Sequence, residues 1–228
     1  MAEKAGYKHF MLKEIFEQPR SLEDTFRGRL DRENADIHQH EIGLSSADGI
    51  ERIILLACGT SHHATLIARY WLESIAKIPT VCELASEFRG RNPVIDEGDL
   101  VIAVSQSGET IDTLVAAREA KTKGAKVLAI VNVIGSAIAR IADATFYTHA
   151  GPEIGVASTK CFIAQLANLL MFTVWLAKQR GELSNAAAQR SSSRWRSCRS
   201  LCSTHSTTAT KPSPKPLAST PTRVTYSF

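Results

Sequence analysis

The chain has 228 residues, 44% of them apolar, which suffices for one large or two small globular domains with a sizeable core. Its formal charge of +4 is unevenly placed. Seven of the 27 Lys and Arg and none of the 23 Asp and Glu fall in residues 184–228, so residues 1–183 are net acidic and offer no basic surface for nucleic acid. No continuous apolar run marks a membrane span, the first residues lack the apolar stretch of a signal peptide, and five irregularly spaced cysteines read as free thiols. A cytoplasmic protein without membrane or nucleic-acid partners is expected.

Residues 10–30 read as a charged amphipathic helix pair broken at Pro19, with Phe10, Leu12, Ile15, Phe16, Leu22 and Phe26 on its apolar side. From Ile50 onward, apolar β runs at 52–57, 80–84, 100–104, 126–131 and 144–148 alternate with helix-period segments at 61–77, 85–90, 110–123 and 137–142, and a long helix over 158–180 closes the unit. Ile111, Leu114 and Val115 keep one helix face apolar. The runs at 100–104 and 127–131 are continuously apolar rather than alternating, which predicts strands covered on both faces and therefore parallel. The expected organisation is a helical segment over 1–44 followed by an α/β domain over 45–183. After Leu183 the character changes: 18 of the last 45 residues are Ser or Thr and four are Pro, too little apolar area to offset the entropy of ordering. Residues 184–228 are expected to be a disordered tail.

The run Leu100–Val104 empties into Ser105-Gln106-Ser107-Gly108-Glu109-Thr110, a hydroxyl-rich turn that opens a helix. The first N–H groups of a helix lack intrahelical acceptors and sit at the positive end of its dipole, so such a turn suits a phosphate. Neither Gly-x-x-x-x-Gly-Lys-Ser/Thr nor Gly-x-Gly-x-x-Gly is present, which argues against nucleoside triphosphates and dinucleotides and for a small phosphate monoester. A second turn of the same kind, Cys58-Gly59-Thr60-Ser61, follows the run at 53–57. Ligands of open α/β sheets sit outside the carboxyl ends of the strands, so Thr60, Ser61, Ser105, Ser107 and Thr110 converge with Gln106 as candidate ligand contacts. Ser and Thr at such positions also serve as plain N-caps; two matching turns favour binding.

These two turns, followed by Glu153-Ile154-Gly155-Val156-Ala157-Ser158-Thr159-Lys160, resemble in order and spacing the first sugar isomerase (SIS) domain of the glutamine:fructose-6-phosphate aminotransferase family. The opening Gly6-Tyr7-Lys8-His9-Phe10-Met11-Leu12-Lys13-Glu14-Ile15 is similar to the linker joining the glutaminase and isomerase halves of those enzymes. The resemblance covers residues 1–183. It implies a flavodoxin- or Rossmann-like five-stranded parallel sheet with helices on both faces. It also implies contacts from Thr60, Ser61, Ser105, Gln106, Ser107 and Thr110 to a sugar phosphate, with further sugar contacts from Val156 and Ser158. The family converts fructose 6-phosphate and glutamine into glucosamine 6-phosphate for amino-sugar biosynthesis; the resemblance implies no redox or metal cofactor, and a homodimer in the intact enzyme.

The family's catalytic carboxylate, Schiff-base lysine and ring-opening histidine come from a second SIS domain and a C-terminal tail, and its glutaminase nucleophile is an N-terminal cysteine. None of these motifs is in this chain. Binding of fructose 6-phosphate or glucosamine 6-phosphate without catalysis is therefore expected. Residues 184–228 depart from the family pattern, as a reading-frame shift, a truncated gene model or a pseudogene would leave them. The alternative is a non-catalytic SIS regulatory module; the first 44 residues show no helix-turn-helix that would support it.

Other reactive residues have plainer readings. Cys58 at the strand end suits a small core residue better than a nucleophile. His62 and His63, adjacent on a helix, diverge by about 100° and make poor joint metal ligands, and Cys198, Cys202 and His205 form half a zinc pattern inside the tail, so no metal site is expected. Glu109 reads as a favourable charge at a helix start, with a general base as the other option, and Glu153 and Lys160 read as structural.

Overall fold

The computed structural model describes residues 3–31 and 36–184. The disordered tail expected from residue 184 and the Cys198–His205 pattern lie, beyond Ser184, outside the described residues. The chain enters on one continuous helix, α1 (Phe10–Phe26), with Pro19 inside it, so the expected break into two helices does not occur. Pro19 has no N–H to donate and costs one helical bond, but tertiary contacts hold both halves to the same body. The first half is tied by Lys160 Nζ to Glu17 at 2.7 Å, and the second by Thr25 Oγ1, 2.8 Å from Thr148 O. The buried face of α1 is also not the expected apolar one. Glu14, Ser21 and Thr25 are its buried residues, while Ile15 is 41% exposed. A short antiparallel pair, β1 (Leu30–Asp31) and β2 (Asp36–Ile37), and the single turn α2 (Gln39–Ile42) follow, where the sequence suggests only a helical segment.

The remaining strands are those the apolar runs predict: β3 (Arg52–Ala57), β4 (Thr80–Leu84), β5 (Asp99–Ser105), β6 (Lys126–Val131) and β7 (Ala144–Tyr147). They form one parallel sheet in the order β4-β3-β5-β6-β7. Helices α3 (Gly59–Ile75), α4 (Ala85–Arg91), α5 (Ile111–Thr122), α6 (Ala137–Ile141) and α7 (Lys160–Gln179) connect and cover it. Alternate strand residues feed two separate cores. Ile53, Leu55, Leu100, Ile102, Val104, Leu128 and Ile130 pack with Ala64, Ala68 and Leu72 of α3 and with Phe172 and Trp175 of α7. Ile54, Leu56, Val101, Ala103, Val127 and Ala129 pack with Phe88 of α4, Ala116, Ala117 and Ala120 of α5, and Ile138 of α6. Both faces of each central strand are thus apolar because both are covered, each buried Leu or Ile contributing about 1.5–3 kcal/mol.

Helix α7 is long and apolar enough to cross a membrane by length and composition, yet 78% of its apolar window is buried inside the fold. Its apolarity is explained by packing against α1, α3 and the sheet.

The strand order sets the functional geometry. From β3 the chain moves outward to β4, then crosses back to place β5 on the other side of β3. The carboxyl ends of β3 and β5 are therefore neighbours at the point where the winding reverses, which in open α/β sheets is where ligands bind.

Candidate functional site at the strand switch point

Each strand at the switch point ends in one of the two hydroxyl-bearing turns. The segment 58–61 leads from β3 into α3, and 105–110 leads from β5 into α5; α3 and α5 pack on opposite faces of the sheet, so a crevice opens between their N-termini. Cys58 and Thr110 are the N-cap residues, both extended, and neither side chain caps a helix amide. The first-turn N–H groups of both helices thus point toward the crevice without a side-chain acceptor, with the positive end of each dipole behind them.

Within the 105–110 turn the hydroxyls divide the work. Ser105, only 3% exposed, accepts the Gly108 N–H at 3.0 Å and lies 3.0 Å from Thr110 Oγ1, supporting the turn from beneath. Ser107 Oγ accepts the Glu109 N–H at 3.2 Å. Gln106, Ser107 and Thr110 are half-buried and form the face of the turn. Gly108 has φ +66, and a Cβ there would lie 2.0 Å from Ser136 Oγ, so glycine is required twice over. Glu109 does sit at a helix start, but its carboxylate accepts the Ala137 N–H of α6 at 2.8 Å rather than an amide of α5.

Asn132, immediately after β6, ties this turn to the next. Its N–H donates to Gln106 O at 3.1 Å; its side-chain carbonyl accepts Thr148 Oγ1 at 2.9 Å and Ala150 N–H at 2.8 Å; and its amide donates to Gly151 O at 2.7 Å. The carboxyl ends of β5, β6 and β7 are stitched together through one residue, its backbone reaching the β5 turn and its side chain the segment after β7.

In the 58–61 turn, Thr60 is exposed and Ser61 is buried, its Oγ accepting a bond from Gln165 Nε2 of α7 at 3.0 Å. Burial, aided by the neighbouring His63, lowers the pKa of His62 and favours its neutral form. The two rings are tilted with centroids 6.3 Å apart, and among the described residues no three His, Cys, Asp or Glu converge on a common point.

The third segment is held from two sides. Glu153 accepts Ser158 Oγ at 3.1 Å, Thr159 N–H at 2.8 Å and Cys161 N–H at 3.1 Å, so it caps α7. Glu14 of α1 accepts the N–H groups of Ile154 and Gly155, and Lys160 pairs with Glu17. Glu153 and Lys160 are committed to structural bonds. Between these anchors Val156 is fully exposed, and Ser158 keeps its hydroxyl oxygen as an acceptor while its proton goes to Glu153. Thr60, Ser61 and residues 105–110 come together on adjacent strands; Val156 and Ser158 arrive on a separate loop beyond β7.

Asn132, Ser136, Gln165 and Glu14 escape sequence reasoning. A polar residue at the end of an apolar run is a weak signal for Asn132. The other three meet their partners only through the tertiary fold. A depression of about 450 Å3 lined by Leu44, Ile50, Lys121, Lys126 and Asp143 lies at the opposite, amino-terminal edge of β6 and β7, where Lys121 is already paired with Asp143 at 2.6 Å. Fold topology favours the switch point over it.

A doubly covered parallel sheet with two hydroxyl-bearing, uncapped helix starts at one switch point defines a sugar isomerase-type domain. The SIS domain family is matched over residues 49–175, and the chain belongs to it. It is homologous to the isomerase region of the glutamine–fructose-6-phosphate aminotransferases (isomerizing): 52% identical over 189 residues to that of Symbiobacterium thermophilum and 49% over 183 residues to that of Clostridium tetani. These matches take in 82% and 80% of this chain but 31% and 30% of the relatives, so the chain spans about three tenths of the length of the curated relatives it matches. The C-terminal domain of glucosamine-fructose-6-phosphate aminotransferase from Francisella tularensis superposes with a TM-score of 0.82 at 40% identity, over 88% of this chain and 56% of that one.

Proposed function

We propose that this chain supplies the sugar-phosphate grip in the isomerase half of a glutamine–fructose-6-phosphate aminotransferase, holding fructose 6-phosphate or glucosamine 6-phosphate. The observation that carries this reading is the pairing of two uncapped helix starts, α3 and α5, with hydroxyl-bearing turns on adjacent strands. A phosphate dianion offers only acceptors, and the α5 start offers donors: first-turn amides, the Ser107 and Thr110 hydroxyls and the Gln106 amide. Thr60 and Ser61 face the sugar hydroxyls from the other side of the crevice. Ser158, whose proton is given to Glu153, accepts from a sugar hydroxyl, and Val156 packs against the ring. Ser105 acts through the turn it supports.

The chain alone binds without turning over. Isomerisation needs a base beside the migrating proton; Glu109 is held by one oxygen to the Ala137 N–H and Glu153 binds the amides at the start of α7, which gives both carboxylates structural roles. Titration calorimetry on the full chain with fructose 6-phosphate tests the reading. Losing a hydrogen bond to a charged group costs about 1.5–3 kcal/mol, so Ser107→Ala should weaken binding roughly 10- to 150-fold. Undiminished affinity in Gln106→Ala, Ser107→Ala and Thr110→Ala alike overturns it.

A further inference from the structure

We infer that Gln165 is a positioning residue of this site, one that fixes Ser61 as a hydrogen-bond donor toward the ligand; the inference rests on the sugar-phosphate reading above. Gln165 stands in the second turn of α7 and is 1% exposed. Its Nε2 donates to Ser61 Oγ at 3.0 Å, whereas its Oε1 is buried without a partner among the described residues. Buried side-chain oxygens are nearly always bonded, so an orphaned one in the core needs a physical reason.

Ser61 provides it. A serine hydroxyl carries one proton and two lone pairs. With the Gln165 amide on one lone pair, the Ser61 proton is directed away from α7, and Ser61 lies in the first turn of α3, on the rim of the switch-point crevice. The opposite amide orientation would let Oε1 take that proton, and Ser61 could then only accept. A phosphate oxygen, or a sugar oxygen that donates elsewhere, needs a donor. The orientation found leaves Ser61 as that donor and leaves Oε1 orphaned as the consequence. For the fold alone, a methionine of similar length would fill the same space with no unsatisfied atom.

A double-mutant cycle on the full chain separates this role from simple packing. Fructose 6-phosphate affinity is measured by calorimetry for the wild type, Ser61→Ala, Gln165→Met and the double variant, alongside urea denaturation of each. Gln165→Met should weaken binding by about 2- to 12-fold, as for loss of one neutral hydrogen bond, with no further loss in the Ser61→Ala background. Its denaturation midpoint should stay at or above that of the wild type, since the orphaned oxygen is gone. Gln165→Leu provides the same measurement should the methionine variant misfold. If Gln165→Met lowers affinity by the same factor with and without the Ser61 hydroxyl, or has no effect on binding, the positioning role is overturned while the site reading stands. A wild-type chain that binds neither fructose 6-phosphate nor glucosamine 6-phosphate overturns the site reading and this inference with it.

Discussion

The Glu14 carboxylate in the first helix receives the N–H of Gly155, 141 positions downstream, at 3.1 Å to each oxygen, and takes the Ile154 N–H at 2.6 Å with one of them. A Cβ at position 155 would lie 2.5 Å from Glu14 Oε2, so a side chain there would push the carboxylate out of this position. The segment ahead of the sheet thus shapes the loop that carries Val156 and Ser158. Replacing Glu14 with alanine removes a charged acceptor from two amides and should cost about 1.5–3 kcal/mol. Hydrogen exchange at Ile154 and Gly155 should accelerate while amides of the central strands stay protected. Exchange as slow as in the wild type at both positions would show that the clamp is not operating.

A second expectation concerns the close approach of Gly108 and Ser136. Gly108→Ala meets two obstacles: the left-handed backbone, worth about 1–2 kcal/mol for a residue with a Cβ, and a collision with Ser136 Oγ and Cβ, worth about 1–3 kcal/mol as overpacking. Adding Ser136→Gly removes the collision and leaves the backbone strain. Urea denaturation should therefore show the double variant recovering part, and not all, of the stability lost by Gly108→Ala. Full recovery, or none, would contradict this division.

The sheet is legible in the sequence because parallel strands covered on both faces are near-continuous apolar runs, as at 52–57 and 126–131, while the run at 80–84 coincides with the half-exposed edge strand β4. The two hydroxyl turns are equally legible, since a strand emptying into Ser, Thr and Gly is a local pattern. Helix α1 is not. Its apolar spacing suggests a greasy face, but it docks through Glu14, Ser21 and Thr25, whose partners are backbone groups of residues 148–155. Pro19 is tolerated for the same reason: bonds on either side of it outweigh one missing helical bond. The β1–β2 pair spans two residues per strand, too short for any periodicity. Gln165 and Ser61 are 104 residues apart, and only the packing of α7 on α3 reveals that they touch.

The third prediction is an acid sensitivity centred on Asp99. Burial pushes its carboxyl up, but the Arg52 fork at 2.7 and 2.6 Å and the Asp96 N–H at 2.8 Å outweigh burial and hold it below the usual value. A carboxylate with a lowered folded pKa contributes stability that is fully present above its unfolded value, about 3.9, and is lost as pH falls through the folded value. This pair joins the amino ends of β3 and β5. Asp99→Asn should cost about 1.5–3 kcal/mol at pH 7 and should flatten the fall in stability below pH 4. An acid limb in the denaturation midpoint that is as steep in the variant as in the wild type would place the sensitivity elsewhere.

The last prediction is that the purified chain makes no glucosamine 6-phosphate from fructose 6-phosphate with either glutamine or ammonium. Moving a proton between C1 and C2 requires a base within hydrogen-bond reach of it, held in place before the reaction starts. Glu109 lies within the 105–110 turn, and its Oε1 accepts the Ala137 N–H at 2.8 Å. Glu153 is fully engaged at the start of α7, and Lys160 is tied to Glu17 at 2.7 Å with its side chain almost completely buried, so it is not available to form an imine. On the reading proposed above, the two turns orient the sugar phosphate, while Glu109, Glu153 and Lys160 are engaged in bonds that hold the fold. Product formation above background, surviving removal of host enzyme and abolished by Glu109→Gln, would mean that the Glu109–Ala137 bond opens on binding and that this domain carries the base itself.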